Sequence, residues 1–382
     1  MNITRFALTG LLLAATALGV RAQDAAPKPV RPQVEVVFCL DTTGSMGGLI
    51  DAAKKKIWSI SNQIASGAPT PQVKIGLVAF RDRGDEYVTK VFDLTDDLDS
   101  IHQHLMKLQA NGGGDTPESV NQALREAVTK IKWSDSKKTL KLIFLVGDAP
   151  PHMDYKDDVK YQDTCKLAVS RDIIINTVQC GRDAQCTKFW KEICVLAEGS
   201  YVQIDQQGGP IVTVATPYDK ELGEINRELN RGTLVYGAPK AQTAAKGKLA
   251  ASEAALPAGA AADRASFNAR VNAGGNAYDL LTNINKGTVK LEDLKKDELP
   301  PELQKLTLPE QKAYLQNLES RRKDLSKKAI DLDKKRSDFI TQKQTEDVRN
   351  AAKDSFDGQV LNILQRQAGR VELRYATDPA KK

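Results

Sequence analysis

The sequence predicts a doubly wound α/β fold, a mostly parallel six-stranded sheet with one antiparallel edge strand, followed by a mainly helical C-terminal region. Three observations carry that expectation. From Val34 onward, short β-rich runs alternate with amphipathic segments, the pattern that builds a parallel sheet with helices on both faces. Runs such as Val34 to Leu40 and Leu140 to Val146 are almost continuously apolar, as strands covered on both sides should be. Between the strands, Met46, Leu49, Ala53, Ile57, Ile60 and Ile64 recur at helical spacing, and so do Val120, Leu124, Ala127 and Ile131.

Taken in order, residues 1–22 have the layout of a secretory leader: Arg5, an apolar run from Phe6 to Val20, and a small-residue boundary ending at Ala22. The run is short for a spanning helix, which needs ~20 apolar residues, so removal is expected. No transmembrane segment is expected after leader removal, and the protein is expected to be exported, to the periplasm or beyond the cell. Residues 33–237 hold the sheet, with strands at Val34 to Leu40, Val73 to Phe80, Thr89 to Phe92, Leu140 to Val146, Ile173 to Val178 and Tyr201 to Ile204. Asp82-Arg83-Gly84-Asp85 reads as a hairpin turn, which makes one edge strand antiparallel. Arg83-Gly84-Asp85 also spells a tripeptide that adhesion receptors bind, but so short a string is better explained by turn chemistry.

Residues 238–263 turn abruptly to Ala, Gly and Lys and read as a flexible linker. Residues 264–382 read as a charged helical region. In it Leu318, Leu325, Leu332 and Phe339 recur every seven residues, while the partner positions fall on Arg, Lys and Ala. That favours a long surface or hairpin helix over a coiled coil, whose seam needs both core positions apolar. A last amphipathic piece carries Phe356, Val360, Leu361 and Leu364.

The net charge of +6 comes from 55 basic and 49 acidic residues that are interspersed, so no nucleic-acid partner is expected. The five cysteines, Cys39, Cys165, Cys180, Cys186 and Cys194, are an odd number for an oxidising destination. Cys39, in a central strand, is the natural leftover, and Cys180 with Cys186 is the expected bridge.

Three acidic clusters fall at strand ends or in loops beside them: Asp41-Thr42-Thr43-Gly44-Ser45-Met46, Gly112-Gly113-Gly114-Asp115-Thr116-Pro117-Glu118, and Gly147-Asp148-Ala149-Pro150-Pro151-His152. In open α/β sheets this rim is where ligands bind. A hard cation such as Mg²⁺ wants six oxygens at ~2.0–2.1 Å, one or two of them carboxylate. Asp41, Thr43 and Ser45 alternate along a tight turn, Asp148 approaches from a neighbouring strand, and the loop from Asp115 to Glu118 closes the side.

In this order and on these elements, the clusters resemble the metal-ion-dependent adhesion site of von Willebrand factor A-type (vWA) domains, here of a bacterial exported kind. The family's D-x-S/T-x-S motif maps onto Asp41, Thr43 and Ser45, and its later strand-end aspartate onto Asp148. In the middle loop, many A domains place a metal-binding threonine, which points to Thr116 or puts Asp115 in its place. The integrin β-type version has an acidic D-x-P-E loop, by which Glu118 is the ligand. That version carries further acidic residues where this chain has Gly47-Gly48. The likeness covers Val34 to Gly237 and implies a bound divalent cation, Mg²⁺ first with Mn²⁺ or Ca²⁺ as alternatives. It also implies a protein partner that offers the metal an acidic side chain, and binding or adhesion in place of catalysis.

Blander readings stand beside each motif. Ser45 could cap a helix, and Asp115 with Glu118 has the spacing of a capping box with Pro117 just inside. His102, His104 and His152 show no zinc spacing and read as structural or rim residues; Trp133 and Trp190 read as core. Two other functions compete. Asp41 followed by Thr-Gly-Ser also resembles the nucleophile loop of haloacid-dehalogenase-type Mg²⁺-dependent phosphatases, although Thr43 stands where a second aspartate is usual. Alternatively, the chain is a structural envelope protein whose helical tail is the binding element.

Overall fold

The sheet is built outward from β1 (Gln33–Asp41), whose residues from Val34 onward are all buried. In the computed structural model the described residues are 31–209, 214–254, 256–271, 278–343, 350 and 353–375. The leader at residues 1–22 lies outside them. Among the described residues no helix is long and apolar enough to cross a membrane.

After β1 the chain makes a short 3-10 turn at Gly44–Met46 and enters α1 (Gly47–Ala65). It continues through β2 (Gln72–Phe80), β3 (Thr89–Thr95), α2 (Leu98–Lys107), α3 (Val120–Thr129), β4 (Thr139–Gly147) and α4 (Tyr161–Ser170). Then come β5 (Ile173–Cys180), α5 (Ala184–Leu196), β6 (Tyr201–Ile204) and α6 (Asp219–Arg231). All six strands stand where the apolar runs predict them. Their order is β3-β2-β1-β4-β5-β6. β1 pairs in parallel with both β2 and β4, β5 and β6 continue in parallel, and β3 alone is antiparallel, against β2. The β2–β3 connection turns at Gly84, which takes a φ of +95° that glycine adopts at little cost.

Side chains alternate along β1, and each face has its own core. Val34, Val36, Phe38 and Leu40 join α1 and α2, whereas Val37 and Cys39 join α3, α4 and α5. The helical stripe from Met46 to Ile64 is buried throughout, as is that from Val120 to Ile131. His102 and His104 point to different neighbours, as their spacing requires, with ring centroids 5.9 Å from Trp58 and 4.0 Å from Phe92. Trp190 is fully buried, and Trp133 packs at the edge of the same core.

Two expectations are corrected. The Ala/Gly/Lys-rich stretch at 238–263 is not a flexible linker: it forms α7 (Pro239–Ala254) and the start of α8 (Ala258–Val271). Alanine is the strongest helix former, and the low-complexity composition concealed that. Nor are Cys180 and Cys186 bridged. All five cysteines are free and buried. Cys180 belongs to the core on one face of the sheet and Cys186, on α5, to the core on the other, so the strand itself separates the two thiols.

The tail folds back onto the sheet domain, and the described residues from Arg31 onward cluster as one compact unit. α9 (Leu280–Asn285) packs against the start of the 36-residue α10 (Leu308–Lys343), and α10 packs beside α6 and α8. The seven-residue stripe of α10 is its inward face. Leu318 meets the cluster around Leu280 and Leu303, Leu325 and Leu332 meet that of α6 and α8, and Phe339 sits edge-on to Tyr218. α11 (Phe356–Gln367) lays Phe356, Val360, Ile363 and Leu364 onto the first core, with Phe356 6.1 Å from Phe38 between ring centroids.

Buried charge networks fasten these layers. Arg264 on α8 is 1% exposed. It donates to both oxygens of Asp99 at 3.0 and 2.6 Å and to Asn226 and Asn230 at 2.7 Å each, joining α2, α6 and α8 at one point. Burial pushes the Asp99 carboxyl up, but the Arg264 charge and hydrogen bonds hold it below its usual range. Arg336 on α10 reaches Asp219 at 2.7 Å and Asp263 at 2.8 Å. Removing one partner of such a network strands the other in the interior, so Arg264→Ala is expected to cost ~3–5 kcal/mol in urea unfolding. A loss under about 1 kcal/mol, the range of an exposed pair, would show that α8 is held by packing alone.

Candidate metal centre

The order of strands fixes where a ligand can sit. The chain leaves β1 for β2 on one side and later places β4 on the other, so the carboxyl ends of β1 and β4 flank a topological switch point. Asp41 is the last residue of β1, and Asp148 directly follows β4.

Two loops close over this point because their backbones are tied together. Asn111 N–H donates to Thr42 O at 3.1 Å and Gly44 N–H to Gly112 O at 3.1 Å, fixing the glycine loop against the first motif. Gly113 N–H donates to the Asp85 carboxylate at 3.1 Å. Glu118 is tied to the third motif, its N–H donating to Pro150 O at 2.9 Å and its carbonyl accepting from His152 N–H at 3.1 Å. The glycines are needed here. Gly113 has φ +75°, and a Cβ on it would lie 2.9 Å from Thr43 Cβ and 3.0 Å from Glu118 Oε1.

Within this frame, Asp41 Oδ1 accepts from Thr43 N–H at 2.9 Å and from Thr43 Oγ1 at 2.7 Å, and Thr43 Oγ1 lies 3.4 Å from Ser45 Oγ. Asp41 and Thr43 are buried and Ser45 is exposed. Burial and the neighbouring Asp148 charge push the Asp41 carboxyl up to about 7, against hydrogen bonds from Thr43 and the Asp148 backbone. Burial first, then the charges of Asp41, Asp82, Asp85 and Asp148, push Glu118 up to about 9. Asp148 is half-buried and accepts a hydrogen bond from Gln206.

The capping readings do not hold. α1 has Met46 at its N-cap and no side-chain cap, so Ser45 is not spent on the helix. α3 begins only at Val120, with Ser119 at its N-cap, so Asp115, Pro117 and Glu118 all precede it and form no capping box. The middle loop divides its acids. Glu118 turns inward to Thr43 and Asp41, whereas Asp115 is exposed and one of its oxygens joins donor atoms of Asp82 and His152, all within 4.8 Å of one another. Thr116 is exposed.

The residues present fit a divalent cation. Glu118 is 3% exposed, yet its Oε2 has no hydrogen-bond partner. A buried carboxylate oxygen without a donor is costly, and here further carboxylates surround it. Asp41, Thr43, Ser45, Glu118 and Asp148 form an all-oxygen donor set of the kind a hard ion takes, open to solvent on the Ser45 side. Sequence reasoning missed Asp82 and Asp85, read only as turn residues. Nothing in a single sequence brings the β2–β3 turn to this rim; the pairing of β1 with β2 does.

The family comparison agrees with the fold. Residues 35–214 match the family model of the von Willebrand factor A domain, so this part of the chain is a vWA domain. One curated relative, von Willebrand factor A domain-containing protein 7 of Rattus norvegicus, is 39% identical over 122 residues, 32% of this chain and 12% of that protein. The matched stretch is therefore a small part of its relative. Among solved structures, proximal thread matrix protein 1 from the mussel byssus aligns at 14% identity and TM-score 0.36, over 46% of this chain and 42% of that one. The SpRpn10 VWA domain aligns at 17% identity and TM-score 0.35, over 49% of this chain and all of that one.

A pH dependence follows. The unfolded carboxylates titrate near ~4, and the folded ones at about 7 and about 9. Both folded values are raised, so without metal the stability these two carboxyls contribute is fully present below the unfolded values and is lost as pH rises through the folded ones. A cation competes with those protons. The Mg²⁺-induced rise in melting temperature should be small near about pH 5 and should grow toward about pH 8. Differential scanning fluorimetry across that range checks it, and a rise largest at the acid end would contradict it. Gly113→Ala should destabilise the loop by ~1–3 kcal/mol and weaken cation binding in calorimetry; wild-type affinity in that variant would show that the close approach is dispensable.

Proposed function

We propose that this vWA domain binds a divalent cation, Mg²⁺ before Mn²⁺ or Ca²⁺, and uses it to grip an acidic side chain of a protein partner. Asp41, Thr43 and Ser45 would hold the ion from the first loop, Asp148 from the third and Glu118 from the middle one. The observation that carries the reading is the Glu118 Oε2 atom, buried without a donor beside Asp41. The exposed Ser45 leaves the solvent side of the ion open to a carboxylate from outside.

The function is therefore binding, not catalysis. The phosphatase alternative gains no support, because the chain passes from Asp41 through one 3-10 turn straight into α1, where a phosphatase of that type would insert a flap. The tail-as-binder alternative gains none either, since the apolar faces of α10 and α11 are spent on packing against the vWA core.

Export to the periplasm or beyond is part of the proposal and rests on the leader-like start at residues 1–22. Free thiols in an oxidising setting need protection from exchange. Exchange needs a thiolate, and burial pushes Cys165 up to about 12 and Cys180 well above its ordinary range.

Asp41→Ala should lower Mg²⁺ affinity at least ~10-fold in calorimetry, the scale on which even an outer-shell residue matters. Partners pulled from an envelope extract should be released by chelator and absent with Asp41→Ala. Full Mg²⁺ affinity in that variant, or a partner set indifferent to chelator, would end the proposal.

A further inference from the structure

About the turn between β2 and β3 lies a second cluster that the adhesion-type site does not use. Asp82, Asp115 and His152 each bring one donor atom to within 4.8 Å of the others. Asp82 is 3% exposed and His152 5%. His152 Nε2 stands 3.2 Å from Asp82 Oδ2, but it is buried and makes no hydrogen bond with that oxygen or any other group.

Each donor is already oriented by its neighbours. His152 Nδ1 lies 2.7 Å from Asp154 Oδ1. If Nδ1 carries the proton and donates it to Asp154, Nε2 is left with a lone pair directed at two carboxylates. A carboxylate on one ring nitrogen and a vacant lone pair on the other is how proteins prepare a histidine for a metal. The ring is stacked on Tyr155, with centroids 4.0 Å apart and planes 9° from parallel, and its own carbonyl accepts from Asn121 Nδ2 at 2.6 Å. Asp82 is fixed at both oxygens, by Ser119 Oγ at 2.6 Å and Tyr155 OH at 2.8 Å. Two donors on a tetrahedral ion with ~2.1 Å bonds are about 3.4 Å apart, close to the 3.2 Å between Nε2 and Asp82.

We propose that Asp82, Asp115 and His152 form a second metal site, separate from the Asp41 site, that takes a divalent transition metal such as Zn²⁺. One imidazole with two carboxylates is a borderline nitrogen and oxygen set, which favours such an ion over Mg²⁺. The inference does not rest on the adhesion-type reading, since the two sites share no proposed ligand.

Co²⁺, whose visible absorption reports the geometry and donor set of its site, is the probe for the full-length, metal-free protein, and Zn²⁺ calorimetry gives the affinity. With Asp41→Ala the protein should still take up one Co²⁺ with that absorption. Adding His152→Gln should weaken Zn²⁺ binding by at least ~10-fold and alter the band. Asp154→Asn, an exposed change that leaves the core intact, should weaken it ~10–100-fold by loosening the ring. Complete loss of Co²⁺ uptake in Asp41→Ala alone would overturn the proposal. So would an unchanged band and affinity in both His152→Gln and Asp154→Asn, which is the result expected if His152 is an imidazolium bridging Asp82 and Asp154.

Discussion

Carboxylates held together out of water are what the rest of this structure has to accommodate. Asp41 and Glu118 are almost fully buried, Asp148 stands beside the first, and Asp82 and Asp85 approach the second. In the interior such charges repel strongly, and each loses hydration that its neighbours cannot replace. Protons relieve the strain while the raised carboxyls still hold them; a cation relieves it by displacing those protons, more easily as pH rises. The backbone ties that draw the glycine loop onto the first motif, and Glu118 onto the third, have the effect of concentrating negative charge where the sheet opens.

The sheet supplies the rigidity this requires. β1 and β4 are buried along their whole length from Val34 and Thr139 onward, and their parallel pairing fixes the relative height of Asp41 and Asp148. The tail adds to that rigidity instead of hanging from it. α11 covers the sheet face on which α1 lies, its N-terminal Phe356 N–H bonds Gly208 O at 3.2 Å, and Gln367 exchanges hydrogen bonds with Asn176 on β5. The Arg264 and Arg336 networks then lock α8 and α10 to α2 and α6. The acidic rim faces solvent at the other end of these constraints, so loop geometry there is set by a core that extends through the C-terminal helices.

Much of this was legible in the residues. Six apolar runs gave six strands, because strands buried on both faces leave no ambiguity of period. The first and third acidic motifs were placed correctly by the strands they follow. What stayed hidden depended on long-range pairing or on composition that misleads. The Ala-rich stretch around α7 and α8 looked like a linker, because helix propensity without an amphipathic pattern carries little signal. The spacing of Cys180 and Cys186 suggested a bridge that the sheet between them prevents. Asp82 and His152 are seventy residues apart in sequence and meet across the loop at Glu118 and Ser119, which bridges Pro151 on one side and bonds Arg81 O and Asp82 on the other. In the middle loop the sequence left Asp115, Thr116 and Glu118 open, and folding separates them: Glu118 faces Asp41, Asp115 faces Asp82, and Thr116 faces solvent.

The central claim, that the rim acids converge on an ion, is tested most directly by anomalous diffraction from a crystal of the full-length protein soaked in Mn²⁺. The account predicts a peak bonded to Asp41 and Ser45, with Glu118 and Asp148 in its coordination sphere directly or through water. A well-ordered rim with no anomalous density beside Asp41 would contradict it.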